Sequence, residues 1–79
     1  MPSIKIDTDI LNNNIVEIIS YVAKDISKSE IRRLIKGNAI KINNKIIDDE
    51  KFIIDQKLFN ENYIKLSIGK KRHLKIQLN

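Results

Sequence analysis

The chain has 79 residues, no cysteine, one histidine and two glycines, with a formal net charge of +5. This length holds one small domain whose core must be economical, and isoleucine supplies most of its apolar residues. Without cysteine there is no disulfide framework, thiolate metal site or thiol nucleophile, and no apolar run approaches the roughly 20 residues that span a bilayer. MPSIKID has neither a basic region nor an apolar signal core, so the reading is a soluble, cytoplasmic chain.

Residues 1–13 read as a linker or opening strand, with Ile4 and Ile6 alternating about Lys5. Asn12 to Asn14 have turn and helix-cap composition. From about Asn14, Ile15, Ile18, Ile19 and Val22 recur at i, i+3, i+4 and i+7, predicting a first helix of nine to eleven residues. It needs a partner, and the next segment provides one. Ser27 followed by Glu30 is a capping-box pattern, in which the hydroxyl takes a free backbone N–H and the carboxylate reaches back. Ile31, Leu34 and Ile35 gather on one face of this second helix, and Lys28, Arg32 and Lys36 recur on another, flanked by Arg33. Gly37 is expected to supply the left-handed backbone that stops the helix near Lys36, with Asn38 tolerating the same region. Ile40 and Ile42 alternate about Lys41, and Asn43-Asn44 suits a two-residue hairpin turn before Lys45 begins the return.

The two helices are separated by a few residues and should pack as a pair. A DNA-reading pair places short polar side chains on its second helix to meet base edges, whereas this one carries mainly phosphate-type cations. Residues 46–62 hold the acidic cluster Asp48-Asp49-Glu50, read as a solvated loop with a helix of one or two turns at most, whose Phe52 and Ile53 close the core. Residues 63–79 read as a hairpin. Ile64, Leu66 and Ile68 alternate with Lys65 and Ser67, and Leu74, Ile76 and Leu78 with Lys75 and Gln77, across a Gly69-Lys70 turn. His73 reads as a strand surface residue, the alternative being an RNA stacking or hydrogen-bonding group. The fold class is α+β, two packed helices followed by a small, mostly antiparallel sheet.

Charge is uneven along the chain. Residues 24–45 carry seven cations against Asp25 and Glu30, and residues 64–79 carry five cations and no acid. Two basic blocks are the footprint of a polyanion binder, because each phosphate contact releases condensed counterions. The alternative is a lysine-rich surface kept for solubility.

Ser27-Lys28-Ser29-Glu30, Arg32-Arg33-Leu34-Ile35, Gly37 and Ile40-Lys41-Ile42-Asn43 resemble the alpha-L RNA-binding motif, the domain named for small-subunit ribosomal protein four. Gly69-Lys70-Lys71-Arg72-His73-Leu74-Lys75-Ile76 further resembles the closing strand of the C-terminal domain of bacterial-type tyrosyl-tRNA synthetases, and Pro2-Ser3-Ile4 resembles the linker leading into it. The resemblance implies a small-subunit-protein-four-like RNA-binding domain over residues 14–79. It implies a grip on the backbone of tRNA for tyrosine near the anticodon stem and long variable arm. The phosphate-contacting residues would be Lys28, Arg32, Arg33 and Lys36, with Lys41 and Lys45 from the hairpin and Lys70, Lys71 and Arg72 from the tail. Ser27 and Ser29 would cap the helix and present N–H groups to an anion, and Asn43 would bond a ribose hydroxyl or hold the turn.

The family usually has glycines where Asn38 and Asn44 stand, at a strain of about a few tenths to one kcal/mol. Ile26-Ser27-Lys28-Ser29 superficially repeats the end of the ATP-contacting loop of class I synthetases, but no nucleotide-binding parallel fold fits this length. The domain itself is therefore expected to be non-catalytic and to need no cofactor or metal, with ATP and tyrosine bound by a catalytic domain outside it. Its parent would be a homodimer, and the isolated domain a monomer without membrane contact. Competing expectations are a free-standing ribosomal-RNA-binding protein of the same fold and a basic protein-interaction module.

Overall fold

A computed structural model describes residues 2–59 and 61–79; Met1 of the opening stretch and Asn60 of the 46–62 loop lie outside the described residues. In chain order the elements are β1 (Ser3–Ile6), a 3-10 turn (Thr8–Ile10), β2 (Asn13–Asn14), α1 (Ile15–Val22), α2 (Lys28–Lys36), β3 (Ile40–Ile42), β4 (Lys45–Ile46) and β5 (Ile53–Ile54). A second 3-10 turn (Gln56–Leu58), β6 (Tyr63–Ile68) and β7 (Arg72–Leu78) follow. Five strands form one sheet in the order β1-β7-β6-β3-β4, and β2 pairs with β5 in a separate ribbon. β1 runs parallel to β7, with Ile4 opposite Ile76; every other pairing is antiparallel. The class is α+β, as the periodicities predict.

Local chemistry sets the helix ends. Asn14 Oδ1 accepts from the Glu17 N–H at 3.0 Å and starts α1, which at eight residues is shorter than the predicted nine to eleven because Ala23 leaves helical geometry (φ −125°, ψ 74°). Ser27 Oγ accepts from the Glu30 N–H at 3.2 Å. The other half of the capping box is not formed, since the Glu30 carboxylate lies 3.4 Å from Arg33 instead. α2 ends at Lys36 as expected, but its left-handed residue differs. Gly37 has φ −86°, and the left-handed residue is Asn38, at φ 59°. Ala39 N–H donates to Leu34 O at 2.9 Å and Asn38 N–H to Ile35 O at 3.1 Å, the paired bonds of a Schellman motif with Asn38 at its left-handed position. Gly37 is thus the C-cap, and the left-handed turn falls one residue later, at Asn38.

Asn43 and Asn44, at φ 53° and 69°, form the β3–β4 turn whose primed geometry matches strand twist. The Asn43 backbone N–H donates to Lys65 O at 2.9 Å, and its side-chain oxygen accepts from Lys65 N–H at 3.0 Å. That side chain therefore ties the turn to β6. Gly69 (φ 69°) turns β6 into β7 and donates its N–H to Ala39 O at 2.7 Å, which brings this turn beside the end of α2.

Both helices lie on one face of the sheet. Ile15, Ile18, Ile19, Ile31 and Ile35 meet Ile40, Ile64, Leu66 and Ile76, and all of these are at most 1 % exposed. In the 46–62 loop the residues that close the core are Ile47, Ile54 and Phe59. Phe52 packs half-buried against that core as expected, whereas Ile53 is 48 % exposed, a correction to its expected place in the core. β5 is a two-residue ribbon edge, so alternation turns Ile54 inward and leaves Ile53 out.

Candidate nucleic-acid interface

Every second residue of the central strands enters the core, so the intervening ones leave by the opposite side. Ile40 and Ile42 are buried and Lys41 between them is exposed; Ile64, Leu66 and Ile68 alternate with Tyr63, Lys65 and Ser67; Leu74 and Ile76 alternate with His73 and Lys75. The candidate cations consequently occupy two surfaces. Lys28, Arg32, Arg33 and Lys36 lie on the exposed side of α2, above the helix layer. Lys41 projects from the open side of the sheet, beneath it. Lys45 stands on the edge strand β4, and Lys70 and Lys71 in the β6–β7 turn, all exposed. The structure thus divides the phosphate-contacting residues expected from sequence between two faces, joined around the Gly37–Ala39 connection.

Three of the nine candidate cations hold carboxylates of their own. Lys28 Nζ lies 2.9 Å from Glu17 Oε1, linking α2 to α1, and Arg33 Nη1 lies 3.4 Å from Glu30 Oε2. Arg72 grips Asp25 in two-point geometry, at 2.8 and 2.9 Å. The reason is parity: Arg72 shares the helix-facing side of β7 with Leu74 and Ile76, so its guanidinium meets the α1–α2 connection instead of solvent. The Arg72 hydrogen bonds hold the Asp25 carboxyl below its ordinary value, helped by a backbone hydrogen bond, and Asp25 in turn raises Arg72. Arg32, Lys36, Lys41, Lys45, Lys70 and Lys71 have no carboxylate partner among the described residues.

At the N-terminus of α2, Ser27 spends its hydroxyl oxygen as the cap and Ser29 is exposed in the first turn. Where α2 gives way to the sheet, a groove of about 420 Å³ is lined by Asn38, Lys41, Asn44, Ser67, Lys70 and His73. A smaller hollow of about 260 Å³ beside Asn43, Asn44, Tyr63 and Lys65 continues along the same side. Ser67 and His73 are directly opposite on β6 and β7, with Ser67 Oγ 3.1 Å from His73 Nδ1. The candidate set drawn from sequence omits Lys5, Lys65 and Lys75, which share the open sheet side with Lys41. Their alternation was visible in sequence, but the β1–β7 pairing that adds Lys5 was not.

No helix among the described residues is long and apolar enough to cross a membrane. Residues 1–76 match the family of the tyrosine–tRNA ligase SYY-like C-terminal domain. The tyrosine–tRNA ligase of Pelagibacter ubique (strain HTCC1062) is 49% identical over 80 residues, which cover 99% of this chain and 20% of that protein. That of Rickettsia massiliae (strain Mtu5) is 38% identical over 81 residues, with the same coverage of 99% and 20%. The tyrosine–tRNA ligase of Wolbachia sp. subsp. Brugia malayi (strain TRS) is 37% identical over 67 residues, covering 84% of this chain and 16% of that protein. The chain thus spans about one fifth of the length of the first two relatives. With the capped α2, the Asn43-Asn44 hairpin and the Gly69-Lys70-Lys71 turn all in place, the chain belongs to the tyrosine–tRNA ligase SYY-like C-terminal domain family.

Proposed function

We propose that this domain holds tRNA for a tyrosine–tRNA ligase, gripping the sugar-phosphate backbone near the anticodon stem and variable arm. The observation that carries the reading is the set of six cations free of carboxylates on α2, the β3–β4 hairpin and the β6–β7 turn. Arg32 offers a planar fork suited to two-point contact with phosphate, and the lysines act as point charges. Lys28 and Arg33 join by exchanging a solvent-exposed carboxylate for a phosphate, a modest cost because exposed ion pairs are weak. Two Phe and two Tyr leave little for base stacking, so recognition is of backbone and shape. In this reading the domain is non-catalytic, and ATP and tyrosine bind elsewhere in the ligase, a cytoplasmic homodimer, while the isolated domain is monomeric.

The test is an NMR titration of the chain with tRNA for tyrosine and with a tRNA lacking the long variable arm. Amide shifts at Lys28, Arg32, Arg33 and Lys41, with a modest preference for the former tRNA, are the expected result. Shifts confined to residues 46–62 overturn the assignment.

A further inference from the structure

The five-stranded sheet covers one side with α1 and α2 and leaves the other open, and the open side is organised in cross-strand rows. Ser3, Lys75 and Lys65 form one; Lys5, Gln77 and Tyr63 form the next; His73, Ser67 and Lys41 form a third, toward the β6–β7 turn. No Asp or Glu occupies any of these positions. Lys65 and Lys75 are directly opposite one another, a like-charge pairing that opposes sheet formation. Lys75 Nζ rests 4.4 Å from the centre of the Tyr63 ring, which relieves part of that repulsion without neutralising it. A face kept for solvation alone intersperses both signs; here Glu61 lines the hollow beside Lys65 at one margin, but Lys5, Lys41, Lys65 and Lys75 form no ion pair among the described residues, which matches an extended polyanion.

The third row adds shape to charge. Ser67 and His73 bond each other through Oγ and Nδ1, which leaves the imidazole Nε2 for a ligand, as a donor in one tautomer and an acceptor in the other. Both residues line the groove with Lys41 and Lys70, so an ammonium pair and a ring nitrogen converge on one concave site. A phosphodiester oxygen beside Lys41 and a ribose 2′-hydroxyl beside His73 satisfy these groups together.

We propose that the open sheet side is a second RNA-backbone surface, separate from the α2 face, and that Lys41, Ser67 and His73 seat one phosphate and its ribose there. This rests on the tRNA-binding reading, which reaches the open side only through Lys41, and extends it across the cross-strand rows of β1, β7 and β6. The test compares tRNA binding by the 79-residue chain with three variants of this surface: the double Lys65→Gln/Lys75→Gln, Ser67→Ala and His73→Ala. The double Arg32→Gln/Lys36→Gln serves as the helix-face reference, and thermal unfolding confirms that each variant is folded.

Removing both lysines is expected to weaken binding roughly tenfold or more and to flatten the log–log salt dependence by about 1.5. Ser67→Ala and His73→Ala are expected to weaken it roughly three- to tenfold with the salt dependence nearly unchanged, as for loss of an uncharged hydrogen bond. If the helix-face variant weakens binding while all three sheet variants bind like the parent, the inference is overturned and the tRNA reading stands. If the parent chain binds no tRNA, both fall. If the sheet variants keep tRNA but lose a polyglutamate peptide, the open side serves an acidic protein and the inference is again overturned.

Discussion

If the domain grips tRNA as proposed, Asp25 would compete with the RNA for Arg72, which it already holds in two-point geometry. Among the described residues, six candidate cations have no carboxylate partner and three are held by carboxylates. With a log–log salt slope of about −0.7 per phosphate on single strands and −0.9 on duplex, six contacts give a slope of roughly −4 to −5. Asp25→Asn removes the counter-charge that Arg72 faces at 2.8 and 2.9 Å while keeping a side-chain oxygen for one neutral hydrogen bond. One added phosphate contact steepens the slope by about 0.7 to 0.9, which at 0.15 M salt corresponds to an affinity gain of roughly four- to sixfold.

The assay is fluorescence anisotropy of labelled tRNA between roughly 50 and 200 mM salt, the range over which such slopes are well determined. Arg72→Gln gives the opposite control. If Arg72 is neutralised in the parent and unused by RNA, this substitution leaves the slope unchanged, whereas in the Asp25→Asn background it should cancel the gain. An Asp25→Asn chain with the parent's slope and affinity refutes the competition. Arg72 would then serve only to fasten the β6–β7 hairpin to the α1–α2 connection.

Three further outcomes concern the fold that carries these charges. Because Arg72 lowers the Asp25 pKa in the folded chain, their contribution to stability is present above the ordinary carboxylate value and is lost as pH falls through the lowered one; acid unfolding followed by circular dichroism should show Asp25→Asn lacking that part of the transition. Asn38 sits at φ 59°, so Asn38→Val should cost about 1–2 kcal/mol in urea unfolding, whereas Asn38→Gly should change stability by less than about 1 kcal/mol. Ile35 is fully buried, and Ile35→Ala should cost about 2–5 kcal/mol by the same measurement, with a smaller loss if the surrounding isoleucines relax into the space.

What could be read in the sequence was what neighbours in sequence determine. Ser27 as a cap, the Asn43-Asn44 turn and the alternation of Ile64, Leu66 and Ile68 each depend on residues a few positions apart, and each stands in the structure. The helix end at Lys36 is legible, whereas the left-handed residue is Asn38 and not Gly37, because glycine and asparagine both tolerate that backbone and only the Ala39-to-Leu34 hydrogen bond decides which adopts it. Phe59 and Ile54 were missed in the 46–62 segment because no period runs through a two-residue strand and a single 3-10 turn.

The same distinction governs the charge. Lys41 and Arg32 are nine residues apart and both cationic, which in sequence looks like one patch. Burial of Ile40 and Ile42 beneath α2 sends Lys41 out through the other side of the sheet, and a one-residue change of strand parity places Arg72 against Asp25 while leaving His73 in the open. A count of basic residues therefore suggests a polyanion as the ligand without saying how the chain would wrap it. Strand register supplies that information: two cationic faces on opposite sides of one thin layer can engage two segments of a folded RNA only if the RNA bends around the edge formed by β4 and the Gly37–Ala39 connection.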